Sequence, residues 1–187
     1  VSLVLGVGTA SGVLAAETPP IGVEAPHFSL ADENGRIHSL SDYKGKLIVL
    51  EWTNQECPYV QRHYRQDTME KLATTFEKEL VWLAVNSTRD NLPKDTKAWR
   101  QEQKFQYATL QDPEGRVGRL YGAKTTPDMF VIDSQGVLRY AGAIDDDPRG
   151  RIDLPENYVS GAIQAILASE PPDPSQTRPY GCSVKYK

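Results

Sequence analysis

The chain has 187 residues, 39% of them hydrophobic and 25% charged, a soluble globular composition long enough for one domain with a sizeable core. A net charge of −4 with no basic stripe gives no electrostatic case for nucleic acid or an anionic membrane. Two cysteines, Cys57 and Cys182, exclude a disulfide-rich scaffold and a four-cysteine zinc site, and allow either one internal disulfide or one reactive thiol with a bystander.

Residues 1–16 carry no charge and are rich in Val, Leu, Gly and Ala. The run is shorter than the ~20 residues that span a bilayer. Ala15 and Ala16 suit a signal-peptidase site, with Val13 or Leu14 at the −3 position. Residues 1–17 are therefore expected to be a signal segment lacking its basic start, and the protein is expected to be exported, periplasmic or otherwise extracytoplasmic. A core strand or helix, or an uncleaved anchor, is the competing reading, and Gly6, Gly8 and Gly12 weigh against a packed helix.

From residue 18 to about 170 the pattern is that of one folded unit. His27 to Leu30 alternates as a short strand, and Glu33-Asn34-Gly35 is a turn. Residues 41–46 read as a polar loop or a single helical turn. Leu47 to Leu50 is a continuous apolar run, as in a strand buried on both faces. After Cys57, Val60, Tyr64, Thr68, Leu72 and Phe76 form a row four residues apart, which predicts one long helix. Pro58 sits where the first helical residue needs no N–H donor. A strand is expected over 80–85, a weaker helix over 91–104, a short strand at 108–110, and a short helix around 117–121 ending at Gly122. Residues 129–132 and 137–140 flank Asp133-Ser134-Gln135-Gly136, a hairpin signal. The last helix is expected over 155–169. A Pro-rich extended tail, 171–187, follows and carries Cys182. An early strand–helix–strand followed by a hairpin and a covering helix predicts an α/β sandwich with a mixed sheet.

Cys57 opens the longest expected helix directly after the most apolar strand. A thiol there faces the positive end of the helix dipole and free backbone N–H groups, both of which favour thiolate, the reactive form. The alternative is an inert buried cysteine.

The segment from Lys46 to Trp52 and on through Cys57-Pro58-Tyr59-Val60 resembles the strand-to-helix segment of thioredoxin-like proteins. The match is best to the redoxin group that includes the alkyl hydroperoxide reductase/thiol-specific antioxidant family. The resemblance implies a thioredoxin-like three-layer α/β/α sandwich. It puts Cys57 at the first, nucleophilic position of Cys-x-x-Cys, with Val60 where the second cysteine would stand. The stretch from Thr125 to Asp133 resembles the family's Thr-Pro strand, which implies that Thr126 and Pro127, the latter with a cis peptide, lie against the active cysteine and, with Pro58, shape a substrate groove. An ordinary trans proline at 127 is the alternative. The tail Tyr180-Gly181-Cys182-Ser183-Val184-Lys185 resembles the ending of some thioredoxin-family proteins. Glu51, six residues before Cys57, stands where thioredoxins carry a buried acid that assists proton transfer, although a strand-end residue facing water or pairing with a lysine is equally open. In one respect the sequence departs from peroxiredoxins, which share Pro-x-x-x-Thr-x-x-Cys: here Leu50 and Asn54 hold those places, and Thr53 comes one residue early. Arg139 could stabilise a thiolate but reads better as an exposed strand residue.

The tail, extended, reaches roughly 40 Å, against a radius of gyration near ~16 Å for this length. Contact between Cys182 and Cys57 is thus permitted, and Cys182 is left open as a resolving thiol, a structural disulfide partner or an unpaired residue. His63 and Cys57, six apart, fall on different helix faces, so no metal site is expected. Asp145-Asp146-Asp147-Pro148 reads as a solvated loop, and Trp52 as core. The expected function is a thiol-dependent oxidoreductase with Cys57 as nucleophile on a peroxide or a protein disulfide and with Cys182 and Glu51 assisting. It would need no cofactor, and its reductant would be a thiol or a thioredoxin-like protein. The alternative is a non-catalytic binding module that keeps the groove and has lost turnover.

Overall fold

The computed structural model describes residues 17–187, so all but the last residue of the expected signal segment lies outside the described residues. A five-stranded mixed sheet forms the centre, built from β3 (Leu47–Trp52), β4 (Leu80–Asn86), β5 (Ala108–Gln111), β7 (Asp128–Ile132) and β8 (Leu138–Gly142) in the order β5-β4-β3-β7-β8. Strands β3, β4 and β5 run parallel, and β7 and β8 antiparallel to their neighbours. Every residue of β3 is buried, Glu51 included, as the apolar run Leu47–Leu50 requires of a central strand covered on both faces.

The side chains of the sheet divide by the two-residue period of a strand. Val49, Trp82, Met129, Val131 and Tyr140 face one apolar layer with α1 (Pro58–Arg65), α2 (Thr68–Thr75), Trp99 of α3 (Pro93–Gln103) and α5 (Tyr158–Leu167). Ile48, Leu50, Trp52, Val85, Phe130 and Leu138 face the other, with Val117 and Tyr121 of α4 (Arg116–Tyr121), Leu40 of a short 3-10 turn over Leu40–Tyr43, and Phe28 beside the small hairpin β1 (Ser29–Ala31) and β2 (Ile37–Ser39). Helices thus cover both faces in the α/β arrangement expected. Trp52 is core: its ring meets Phe130 edge-on at 5.2 Å, and its Nε1 donates to Ser87 at 3.0 Å.

The single helix expected after Cys57 is two. Asp67, in the left-handed conformation at φ 54°, separates α1 from α2. A side chain repeated every four residues advances about 40° around a helix per step. A straight helix would therefore carry the row from Val60 to Phe76 away from the sheet. The break at Asp67 turns the row back, so that Val60, Tyr64, Met69 and Leu72 all enter one core.

The tail crosses the molecule as a strap. It runs beside β8, where Thr177 exchanges hydrogen bonds with Ala141, Ala143 and Tyr140. It then forms β9 (Cys182–Ser183), paired antiparallel with β6 (Thr125–Thr126) in the register Thr126–Cys182. It ends with Tyr186 donating to the Ala123 carbonyl at 2.8 Å. At Gly118, in α4 beneath Tyr186, a methyl group would collide with the tyrosine ring.

Candidate active site

The site is assembled from three backbone pieces. Cys57 is the N-cap of α1, with extended dihedrals (φ −79°, ψ 120°), and Pro58 opens the helix as expected. The second piece is the β6–β7 junction, where the Thr126–Pro127 peptide is cis. Cys57 Sγ donates to the Thr126 carbonyl at 2.9 Å, so the Thr-Pro segment and the thiol are in contact. The third is the tail. Residue 182 is registered opposite residue 126, which brings the Cys182 side chain beside Cys57. Both cysteines are free. Cys57 is only 1% exposed, whereas Cys182 is half-buried.

The two thiols are electrostatically unequal. Burial pushes Cys57 up, but the hydrogen bonds at its sulfur, chiefly from the Cys182 side chain and then from Thr126 and the Val60 and Cys182 N–H groups, outweigh it and leave the thiol below its ordinary value. The Val60 N–H belongs to the first turn of α1, so the anion preference of a helix start contributes directly. Burial and the neighbouring Cys57 push Cys182 up to about 11. When one proton leaves the pair, it leaves Cys57.

Gly181 makes the approach of the tail possible. Its φ is 143°, and a methyl group there would fall on the Thr126 carbonyl oxygen. One residue earlier, Tyr180 is locked to α1. Its hydroxyl donates to an Asp145 carboxylate oxygen and lies 3.0 Å from His63 Nε2, while an Arg62 guanidinium N–H donates to the same hydroxyl at 3.2 Å and to the Asp147 carbonyl at 2.8 Å. His63 is 1% exposed, and burial with the adjacent Arg62 pushes its pKa down to about 4, so it is neutral here. The acidic turn is therefore not the solvated loop expected. Asp145 and Asp147 are buried, because Asp145 accepts the Tyr180 proton and the Asp147 carbonyl accepts from Arg62. Pairwise spacing along the chain could not reveal partners brought together from α1, residues 145–147 and the tail.

Glu51 lies on the Cys57 side of the sheet, wholly buried. It neither faces water nor pairs with a lysine. Trp82 Nε1 donates to it at 3.0 Å and Tyr64 Oη at 3.1 Å, with Tyr107 in turn donating to Tyr64 at 2.9 Å. Burial pushes Glu51 up to about 7 despite these bonds. Its hydrogen bonds go to the aromatic cluster and none to Cys57. Among the residues near the peroxiredoxin threonine position, Asn54 Oδ1 caps the Glu56 N–H at 2.9 Å and Thr53 Oγ1 is buried without a partner. Arg139 pairs with Asp133 at 3.6 Å, in the hairpin and not at the sulfur. Among the described residues no three His, Cys, Asp or Glu side chains group as metal ligands.

The model of the AhpC/TSA family matches residues 21–141, spanning the central sheet, Cys57 and the Thr-Pro segment. The chain belongs to the AhpC/TSA family. Within this family's reach, it is 31% identical over 120 residues to the thiol-disulfide oxidoreductase ResA of Geobacillus kaustophilus, covering 64% of this chain and 67% of ResA. It is 27% identical over 151 residues to the chloroplastic peroxiredoxin Q of Suaeda salsa, covering 71% of this chain and 64% of that protein. A crystal structure of an uncharacterized conserved protein from Geobacillus kaustophilus superposes with a TM-score of 0.81 at 26% identity over 98% of both chains. For this AhpC/TSA member the family match ends at residue 141, so it does not include the tail that carries Cys182.

Proposed function

We propose that this protein is a thiol-dependent oxidoreductase that cycles between a Cys57/Cys182 dithiol and a Cys57–Cys182 disulfide. The observation that carries the reading is the placement of the Cys182 thiol on Cys57 Sγ by the β6–β9 pair. The membership in AhpC/TSA and the similarity to both a thiol-disulfide oxidoreductase and a peroxiredoxin support it.

Cys57 thiolate is the nucleophile. With a disulfide R–S–S–R′ it forms a bond to one sulfur and expels R′–S⁻. With a hydroperoxide it takes the terminal oxygen, giving sulfenic acid and an alcohol or water after protonation. Cys182 then attacks Cys57 Sγ, expelling R–S⁻ or water, and its proton goes to the leaving group. Two external thiols restore the dithiol and become a disulfide themselves. Cys182 supplies the thiol that Val60 cannot, Thr126 and Pro127 shape the approach to the sulfur with Pro58, and Glu51, pushed up to about 7 by burial, is the buried acid on the same side of the sheet, hydrogen-bonded to Trp82 and Tyr64. The alternative of a binding module without turnover gains no support from a site in which a second thiol faces the first. The uncharged apolar run of residues 1–16 supports export to an extracytoplasmic compartment, where a thiol donor would serve as reductant.

The test is thiol counting after a single exposure to a model disulfide or to hydrogen peroxide. The unaltered protein loses two thiols per chain without a retained adduct. Cys182→Ser stops with one adduct or sulfenic acid at Cys57, and Cys57→Ser reacts no faster than free cysteine. A Cys57→Ser protein that reacts at the unaltered rate overturns the reading.

A further inference from the structure

Two residues before Cys182 the tail is held by a buried polar cluster with His63 at its centre. Asp145 Oδ1 accepts both the Tyr180 hydroxyl and the Asp147 N–H, the latter at 3.0 Å. His63 Nε2 lies 3.1 Å from an Arg62 guanidinium nitrogen and 3.0 Å from the Tyr180 hydroxyl. His63 Nδ1 is buried with no hydrogen-bond partner among the described residues, and it stands 4.0 Å from Asp145 Oδ2. A buried ring nitrogen left unpaired beside a carboxylate is rare enough to need a reason. A neutral imidazole carries one N–H and the imidazolium carries two, so protonation puts a donor on both sides of the ring whichever tautomer precedes it. At Nε2 that donor faces Arg62, which is charged and can only donate. At Nδ1 it faces the Asp145 carboxylate from just beyond bonding distance. The cation is satisfied when Asp145 turns to Nδ1 and gives up Tyr180.

We propose that His63 is a positioning residue for Cys182: the neutral ring leaves Asp145 to the Tyr180 hydroxyl and the tail stays seated, whereas the protonated ring draws Asp145 away and lets Tyr180, and Cys182 with it, lift from Cys57. The seating of the tail is a property of the reduced protein whether or not it turns over. Its consequence, a resolving thiol withdrawn on the acid side, rests on the dithiol reading. The groups that face His63 are Arg62 from α1, Asp145 and Asp147 from the acidic turn, and Tyr180 from the tail. Burial and then Arg62 push His63 down to about 4 while the tail is seated. A released ring returns to its ordinary 6.5 and binds a proton more readily. Seating is therefore complete above pH 6.5 and weakens as pH falls toward 4, by about tenfold at pH 5.5 and about thirtyfold at pH 5. Asp145, pushed up by burial, opposes this at the acid end. Asp147, whose burial is outweighed by backbone N–H donors, is held low and titrates below the window, and Tyr180, pushed up by burial, titrates above it.

The test is amide hydrogen exchange of the reduced full chain at pH 7.5 and pH 5, with each rate divided by its intrinsic rate at that pH so that protection reads the seating equilibrium. The Thr177 and Val184 N–H groups, bonded to the Ala141 and Lys124 carbonyls, report on the tail, and the amides of β3 are the reference. The comparison is with His63→Gln, whose side-chain oxygen can accept in place of Nε2 and which does not titrate. Between the two pH values tail protection should fall at least about tenfold more in the parent than in the variant, since Asp145 and the thiols are common to both and cancel. An equal pH dependence in the two proteins overturns the proposal. A second measurement needs no change at residue 63. In Tyr180→Phe, Asp145 is free to close on Nδ1, and NMR titration of the His63 ring should give a pKa raised by at least about one unit over the parent. An unchanged value overturns the exchange of partners. Neither readout uses turnover, so failure here leaves the dithiol reading standing, and failure of the thiol count leaves this proposal standing.

Discussion

At the scale of single residues the account turns on which sulfur gives up its proton. Cys57 is held below its ordinary value against the opposing effect of burial, with the Cys182 side chain the largest favourable contribution. Cys182→Ala removes that donor and leaves its backbone N–H in place. The Cys57 titration, followed by the ultraviolet absorbance of the thiolate, should move up by about one pH unit, the worth of one hydrogen bond to a charged group. Glu51 gives a prediction of opposite character. Its folded value of about 7 lies above the ordinary 4.5, so the folded state holds a proton that the unfolded chain has released between those values. Stability attributable to Glu51 is complete below pH 4.5, declines as pH rises, and is lost by about pH 7. Glu51→Gln, which still accepts from Trp82, should match the parent near pH 4.5 and be the more stable protein in denaturant unfolding at pH 8, by about 3 kcal/mol at most. Asp128, pushed up to about 7 by burial, acts in the same direction and remains in the variant. The position of Glu51 six residues before Cys57 was legible in the sequence. Its partners were not, because Trp82 and Tyr64 arrive from β4 and α1.

At the scale of elements the site depends on how the tail is fastened. Gly181→Ala places a methyl group against the Thr126 carbonyl. The tail must shift there, and closure of the bridge after oxidation should slow at least about tenfold, since loss of oriented approach is worth more than that in intramolecular reactions. Mass spectrometry of quenched samples reads it directly. Tyr180→Phe keeps the ring against Tyr59 but leaves Asp145 and His63 without the hydroxyl. Two buried polar groups losing a partner should cost about 1–3 kcal/mol in denaturant unfolding. The elements themselves were largely readable. The apolar run at Leu47–Leu50, the proline after Cys57 and the Asp133–Gly136 turn each act through local physics, and they became β3, the start of α1 and the β7–β8 hairpin. The division of α1 from α2 was hidden because a four-residue row satisfies helical periodicity locally and fails only over several turns. The buried role of Asp145 and Asp147 was hidden because a run of three acids is ordinarily solvated, and only the Arg62 and Tyr180 side chains from elsewhere in the chain explain it.

At the scale of the whole molecule the two cysteines bring the start of α1 and the C-terminal tail together. A Cys57–Cys182 bridge closes a loop of roughly 125 residues, for which chain entropy in the unfolded state gives about 4–5 kcal/mol of stabilisation. The oxidised protein should therefore unfold at higher denaturant than the reduced protein, and Cys182→Ser should show no difference between oxidising and reducing buffer. Reach along the tail could permit this meeting from sequence but could not select it. The choice is made by the β6–β9 pairing, by Gly181 and by the Tyr180 lock, none of which leaves a periodic signal. The most direct measurement is a peptide map of the monomer after mild oxidation, digested without reduction. The account predicts one cross-linked species joining the peptides that contain residues 57 and 182. Cys57 carrying sulfinic acid or an adduct while Cys182 remains fully alkylatable would contradict it.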